Sequence, residues 1–394
     1  MTVYTVDEDG QIFVTPEELD DFDYYRDNVF VRTYEEFLNL NPHEVIKNWE
    51  IVADDQGFEG GTLAAVIDDS GYAHILYRGY AAGSQCMRYV TNKTGSWVIE
   101  TIENISSDIS PSLGITIDDS GYIHVFYKKF IGSSNNHLIY ATNATGSWVP
   151  TDVNSDVDTT QGTQGSIIID GSGYIHIFTP ATISAVRVLR HTDNASGWRT
   201  EVIVNPDYSS FTVNAKMKTG GDFVVVYNES YQSGIGNFGL RVAVGTWGSW
   251  SDESTGFGTY GRSEVQLDDS DYIHIFSLKN AGPTNRLLME VTNVTSSWVE
   301  TQRYDMTDLE YPQMGACWKD TSGYYHIYCY KSKTNWYITN KSGGWVRYEA
   351  LMHEDESGGI EAAYNGIYYN GSRAYLFYRG TFTDPAIEVV WINA

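Results

Sequence analysis

The sequence predicts an all-β ring: a seven-bladed β-propeller whose last blade is closed by an N-terminal strand, with a short N-terminal arm before it. Three observations predict it. One turn and the strand behind it recur along the chain, a tryptophan landmark recurs with the same spacing, and the chain ends one strand short of a full repeat.

The recurring turn reads "DDSGYAHILY" from Asp68, "DDSGYIHVFY" from Asp118, "DGSGYIHIF" from Asp170, "DDSDYIHIF" from Asp268 and "DTSGYYHIY" from Asp320. Aligned on its histidine, the series is His74, His124, His176, Val224, His274, His326 and Tyr375, a period of roughly 50 residues. The second landmark, "GSW" and its variants, falls at Trp97, Trp148, Trp198, Trp250, Trp298 and Trp345. Between landmarks the chain alternates apolar with polar or small residues over short runs, which is the pattern of strands. In the second repeat these runs are 112–117, 122–128, 138–142 and 147–153. Four antiparallel strands per repeat make a propeller blade. Asp-Ser-Gly supplies the positive φ that a tight turn needs, and Asp271 in place of Gly is the next most permissive choice.

The ends give the expected blade count. The last repeat stops in "EVVWINA", which matches a third strand, and one period before Trp97 lies Trp49 in "NWEIVADD". That segment is expected to supply the fourth strand of the last blade, giving seven blades over 46–394 and no free sheet edge. Residues 1–45 lie outside the ring. "TPEEL" and "TYEEFLNL" read as helix starts and "DEDGQIFV" as a small hairpin. An arm this short cannot bury a core alone, so it is expected to pack on the ring or on another chain.

Composition narrows the partners. Lys plus Arg number 25 against 51 Asp plus Glu, a formal net charge of −26. Nucleic acid and anionic membrane surfaces are repelled by such a chain, whereas neutral sugars or a basic protein surface are not. Cys86, Cys317 and Cys329 show neither a disulfide framework nor zinc-site spacing. No apolar run reaches transmembrane length, and the first residues lack the pattern of a secretory signal. Work outside the cell would therefore need a signal-independent route.

The repeated histidines read as packing. A second strand lies between two blades, so Tyr122, His124 and Phe126 are expected to face one neighbour and Ile123, Val125 and Tyr127 the other. A slot that also accepts Val224 is a packing slot. The sequons at Asn92, Asn143, Asn194 and Asn340 fall inside a repeated turn, whose geometry accounts for them.

"IDDSGYIHVFY…LIYATNATGSW" resembles the sialidase-like repeats known as BNR or Asp-box-like. The resemblance covers about 46–394, although "TNATGSW" is one residue short of the Asp-box pattern and lacks its Asp. Such repeats occur in bacterial surface proteins, in some polysaccharide lyases, and in phage or archaeal-virus fibre and decoration proteins. The sialidase activity of that fold needs an axial arginine cluster. The inner strands "TLAAVID", "SLGITID", "GSIIID", "NAKMK", "SEVQLD", "MGACW" and "EAAYN" contain no arginine. A lyase needs a cation for the uronate carboxylate and a His or Tyr base. The non-repeat candidates are His137, Arg187, Arg190 and His191, with Tyr80 or Tyr231 as base, and no spacing unites them.

Variation gathers on one face. The loops between second and third strands, such as "KKFIGSSNNH" and "NESYQSGIGNFG", and the blade linkers, such as "NPDYSSF" and "YDMTDLEYP", share that face and differ from one another. Binding is usually placed on such loops. Tyr80, Phe130, Tyr208, Phe211, Tyr231, Phe257, Tyr260 and Tyr311 are the aromatic candidates for stacking on sugars. Asp156, Asp158, Asp305, Asp308 and Glu310 are suited to sugar hydroxyls or a Ca²⁺ ion; no catalytic residue, no resident metal and no other cofactor is assigned. The expected function is a non-enzymatic virion component, a tail fibre, spike or decoration protein. It would bind a host-surface receptor or glycan through the loops and other virion proteins through residues 1–45, with homo-oligomerisation left open. The alternatives are a polysaccharide-active enzyme, lyase or glycosidase, and an intracellular protein-scaffolding propeller; the alternative locations are cytoplasmic, or extracellular by a signal-independent route.

Overall fold

A computed structural model describes residues 49–54, 63–81, 84–105, 109–131, 135–157, 165–183, 186–204, 212–232, 237–259, 261–280, 286–309, 312–331, 334–351, 360–369, 373–380 and 386–393. All regular elements among them are strands. The expected arm, with its two helix starts, lies outside the described residues.

The strands fall into groups of four. The first group is β2 (Leu63–Ile67), β3 (Ala73–Ala81), β4 (Ser84–Thr91) and β5 (Val98–Asn104), and the second is β6 (Ile109–Ile117), β7 (Ile123–Ile131), β8 (Asn135–Thr142) and β9 (Val149–Val157). Next come β10 (Ser166–Ile169), β11 (Ile175–Ile183), β12 (Val186–Asp193) and β13 (Arg199–Val204), then β14 (Val213–Met217), β15 (Phe223–Gln232), β16 (Asn237–Thr246) and β17 (Ser249–Thr259). They are followed by β18 (Ser263–Leu267), β19 (Ile273–Asn280), β20 (Arg286–Thr292) and β21 (Val299–Met306), and by β22 (Gln313–Lys319), β23 (Tyr325–Lys331), β24 (Thr334–Thr339) and β25 (Val346–Leu351). The last group joins β26 (Ile360–Tyr369), β27 (Arg373–Gly380) and β28 (Ala386–Asn393) to β1 (Trp49–Asp54), which pairs antiparallel with β28 in the register Trp49↔Val390.

The expectation of seven blades is corrected by the hydrogen bonding. The strands form six sheets, five of four strands and one of eight in the order β1-β28-β27-β26-β2-β3-β4-β5. Counted as sheets, the propeller has six blades, one of them double. The fusion is a single parallel bridge, Ala64↔Tyr364, between β2 and β26. Inner strands crowd toward the axis of a propeller, and a small residue such as Ala64 lets two backbones come within bonding distance. The inner strands adjoin in a circle, β2, β6, β10, β14, β18, β22, β26 and back to β2, the double blade supplying two of them.

The core lies between sheets. Ile123, Val125 and Tyr127 of β7 pack with Ala64, Leu76, Met87 and Tyr89 of the preceding group, while Phe126 packs with Ile167, Ile175 and Ile177 of the following one. Both faces of a second strand are thus covered, which is why its sequence is almost continuously apolar.

The repeated turn closes on its aspartate. Asp118 accepts the Ser120 and Tyr122 N–H groups through Oδ1 at 2.9 and 2.8 Å, and Gly121 takes φ +79°. Asp271 takes the same left-handed conformation at φ 63°. The sequon asparagines bridge to the second strand: Asn143 Oδ1 accepts the Ile123 N–H at 2.9 Å, and Asn92, Asn194, Asn293 and Asn340 do the same in their own groups.

Candidate functional site

Each repeated histidine is a strut between its turn and the third strand. His74, His124 and His326 set Nε2 against Asp68, Asp118 and Asp320 at 3.2, 3.2 and 3.3 Å, and take the hydroxyls of Tyr89, Tyr140 and Tyr337 on Nδ1 at 2.5, 2.6 and 2.5 Å. A neutral imidazole with its proton on Nε2 satisfies both bonds. Burial pushes His326 down to about 4, against the pull of Asp320. In β15 the slot holds Val224, fully buried. In His74, His124 and His326 both ring nitrogens are used in holding the fold.

The tryptophans clasp neighbouring outer strands. Trp148 donates its indole N–H to Glu100 at 2.7 Å, Trp250 to Glu201 at 2.9 Å and Trp298 to Glu253 at 3.1 Å. Each acceptor stands three residues past the preceding tryptophan. At the junction of β21 and β25 that position is Thr301, and Arg347 instead reaches Asp308 at 3.0 and 2.7 Å.

At the junction of β9 and β13 the position is Thr151, and a groove lies there instead of a clasp. Asp152, Val153 and Asn154 form one wall, Trp198, Arg199, Thr200, Glu201 and Val202 the other, and Arg190 of β12 lies in the floor. Asn154 crosses to Thr200 at 2.9 Å. Trp198 stacks at a tilt on Tyr140, with ring centroids 5.0 Å apart. Asp152 is held by His137 at 2.5 Å. Glu201 is held by the Gly248 N–H, by Trp250 and by His191 at 2.8, 2.9 and 3.0 Å. An indole ring beside convergent carboxylate, amide, hydroxyl and guanidinium groups is the composition of a polar small-molecule site.

Of the lyase candidates, Arg190 lines this groove, the adjacent His191 is fully buried, and His137 comes from β8. Arg190 lies in its floor, and the two histidines stand behind Asp152 and Glu201. Of Arg187 and the base candidates Tyr80 and Tyr231 only the backbone is described, within β12, β3 and β15.

The loop-face candidates are placed as follows. Phe130 is half-buried on β7, opposite Asn136. Phe257 packs into the apolar cluster between β14–β17 and β18–β21. Asp305 is exposed and accepts the Thr307 N–H at 2.9 Å, and hydrogen bonding to Thr307 lowers its pKa. Asp308 is the partner of Arg347. Asp156 is placed by its backbone in β9. Tyr208, Phe211, Tyr260, Tyr311, Asp158 and Glu310 lie outside the described residues. The opposite face, which the sequence presents as uniform, carries Tyr122, Tyr174, Tyr272 and Tyr324, each about two-fifths exposed.

The inner strands surround a second cavity, lined by residues of β2, β6, β10 and β14 and by Arg262, one residue before β18. Arg262 is ion-paired to the buried Glu264, which also accepts a hydrogen bond from Asn214 at 2.9 Å. Burial raises the Glu264 pKa against the pull of Arg262 and Lys216. An arginine does reach the axis, from just outside the inner strands, and its charge is spent on that carboxylate.

Sequence reasoning missed the clasp glutamates Glu100, Glu201 and Glu253 and the groove residues Asp152, Asn154, Trp198, Arg199 and Thr200. The available signal was the residue three past each tryptophan.

No family model matches the chain, and no curated protein matches it. Among solved structures, the chain is similar to a polysaccharide lyase, PL25 ulvan lyase. The identity is 13%, with 87% of this chain and 95% of that one covered at a TM-score of 0.58; the same lyase bound to -[GlcA(1-4)Rha3S]- gives 0.57. It is also similar to AofleA from Arthrobotrys oligospora, at 12% identity over 78% and 93% of the two chains with a TM-score of 0.50. The Aleuria aurantia lectin in complex with Fucα1-6GlcNAc aligns at 12% identity over 73% and 94%, with a TM-score of 0.48. At these identities the likeness is one of fold, and the fold is a β-propeller.

Proposed function

We propose that this chain is a carbohydrate-binding propeller that takes a glycan in the groove between β9 and β13. The observation that carries the reading is Trp198, whose indole N–H has no glutamate acceptor like Glu201 among the described residues, beside Asp152, Asn154, Arg190 and Arg199. Sugars need a flat apolar face together with paired donors and acceptors. The formal charge of −26 favours a neutral glycan over a polyanion. Within this reading the setting is a virus particle, with the ring as its attachment head and residues 1–45 joining it to the assembly. Incorporation of a ring lacking 1–40 into that assembly at the normal level would remove the anchoring part.

The test is a glycan array probed with the purified chain and with Thr151→Glu, which supplies the missing clasp acceptor. Binding by the natural chain and its loss in the variant are expected. A blank array, or equal binding by both, overturns the proposal.

One observation favours a second reading, in which the groove cleaves its glycan. Arg190 of β12 lies in its floor and His137 of β8 stands behind Asp152, a cation and a proton-transfer group from separate strands. Incubating array-positive polymers with the chain and looking for unsaturated ends decides between the two. Their appearance makes the protein a lyase.

A further inference from the structure

We propose that His176, His191 and Asp193 bind a divalent transition-metal ion of the zinc class, in a site made by two departures from the repeat within β10–β13. The corresponding third strands read Tyr89-x-Thr91, Tyr140-x-Thr142 and Tyr337-x-Thr339, with Glu290-x-Thr292 in β20, whereas β12 reads His191-x-Asp193. Both replacements put a metal-ligating group where the other blades have none of that pairing. Together with the strut histidine they bring three ligand atoms within 4.8 Å of one another.

Proton bookkeeping supplies an independent reason. His176 Nε2 faces Asp170 at 3.3 Å, and His191 Nδ1 faces Glu201 at 3.0 Å. Ionised carboxylates only accept, so each of these nitrogens carries a proton. The other two nitrogens, His176 Nδ1 and His191 Nε2, then meet at 2.9 Å with a lone pair on each. In three sibling blades a tyrosine hydroxyl donates across this gap, and among the described residues no donor replaces it here. Lone pairs at that distance repel unless a cation stands between them. A proton there would make an imidazolium walled in by Phe178, Phe223 and Trp250, away from water. A metal ion removes the conflict and leaves both carboxylate bonds intact.

The distances suit such an ion. Zinc–nitrogen bonds of about 2.0–2.1 Å in a tetrahedron put ligand atoms about 3.3 Å apart. The His176–His191 separation of 2.9 Å and the His191–Asp193 separation of 3.9 Å lie on either side of that. Asp170 and Glu201 stand where outer carboxylates orient metal-bound imidazoles. Arg199 holds Asp193 at 2.7 and 3.0 Å through both oxygens, and Oδ2 retains a lone pair. Phe178, Phe223 and Trp250 pack around His191 and lower the local dielectric.

The test uses the full chain, stripped with chelator, with Co²⁺ or Zn²⁺ added to the native protein and, separately, present during refolding from urea. One equivalent of Co²⁺ with tetrahedral visible bands is expected, and Zn²⁺ should raise the melting temperature. The double variant His191→Tyr, Asp193→Thr rebuilds the sibling blades' pair, so it should fold, lose at least a hundredfold in affinity and show no Zn²⁺-dependent shift. Absence of stoichiometric metal by either route overturns the proposal, as does equal affinity in the double variant, which would put the metal on another histidine.

Discussion

The outer strand β13 has two neighbours and meets them differently. Toward β17 it offers Glu201, and Trp250 closes the junction with an indole hydrogen bond while packing on Phe178 and Phe223. Toward β9 its own tryptophan, Trp198, finds Thr151 where a glutamate would stand, and a polar groove remains. The landmark tryptophan is the same on both sides. Between these two junctions the difference is one acceptor, contributed by the other strand.

The largest effect should come from the sealed side. Trp250→Ala removes a packed ring and a clasp and should cost about 4 kcal/mol, read from the urea midpoint. Trp198→Ala should cost about half as much, since that ring packs without a matching glutamate acceptor. Equal losses would erase the distinction between the junctions.

A regular strut sharpens the contrast with β10–β13. His326, held neutral at about 4 by burial, contributes stability that is fully present above the ordinary histidine value near 6.5 and is lost as pH falls from there toward 4. By linkage the loss is about 3 kcal/mol. His326→Val, copying Val224, should flatten that part of the stability–pH curve. An unchanged slope would mean the regular struts do not set the acid sensitivity.

Glu201→Gln keeps an acceptor for Trp250 but gives up the charge that also holds His191 and the Gly248 N–H. A loss of about 1.5 kcal/mol is expected, with a matching drop in urea midpoint. The smallest effect is a gain: Thr151→Glu should add about 1 kcal/mol by sealing the second junction. Destabilisation there would show that the groove is not a missing clasp.

Much of the fold could be read from the chain because a propeller repeats its local chemistry. Asp118, Gly121 and His124 announce a turn and the strand behind it, and four siblings repeat the announcement. The strand at Trp49 could be placed because a sheet lacking one member leaves an unpaired edge. The fusion of β2 with β26 could not be read, since a single bridge depends on how closely two inner strands approach. Nor could the groove, whose walls come from β9, β12 and β13. Loop aromatics were favoured because variation is visible in sequence; that Phe257 lies half-buried against a core cluster is visible only in the structure.

The sequence by itself determined the repeated strands and their turns, because each follows from residues close together in the chain, whereas the division into six sheets did not. Which histidines, carboxylates and tryptophans meet was decided only by the tertiary structure. His137 and Asp152, or Trp250 and Glu201, become partners when strands are laid side by side, and no local pattern encodes the distance between them.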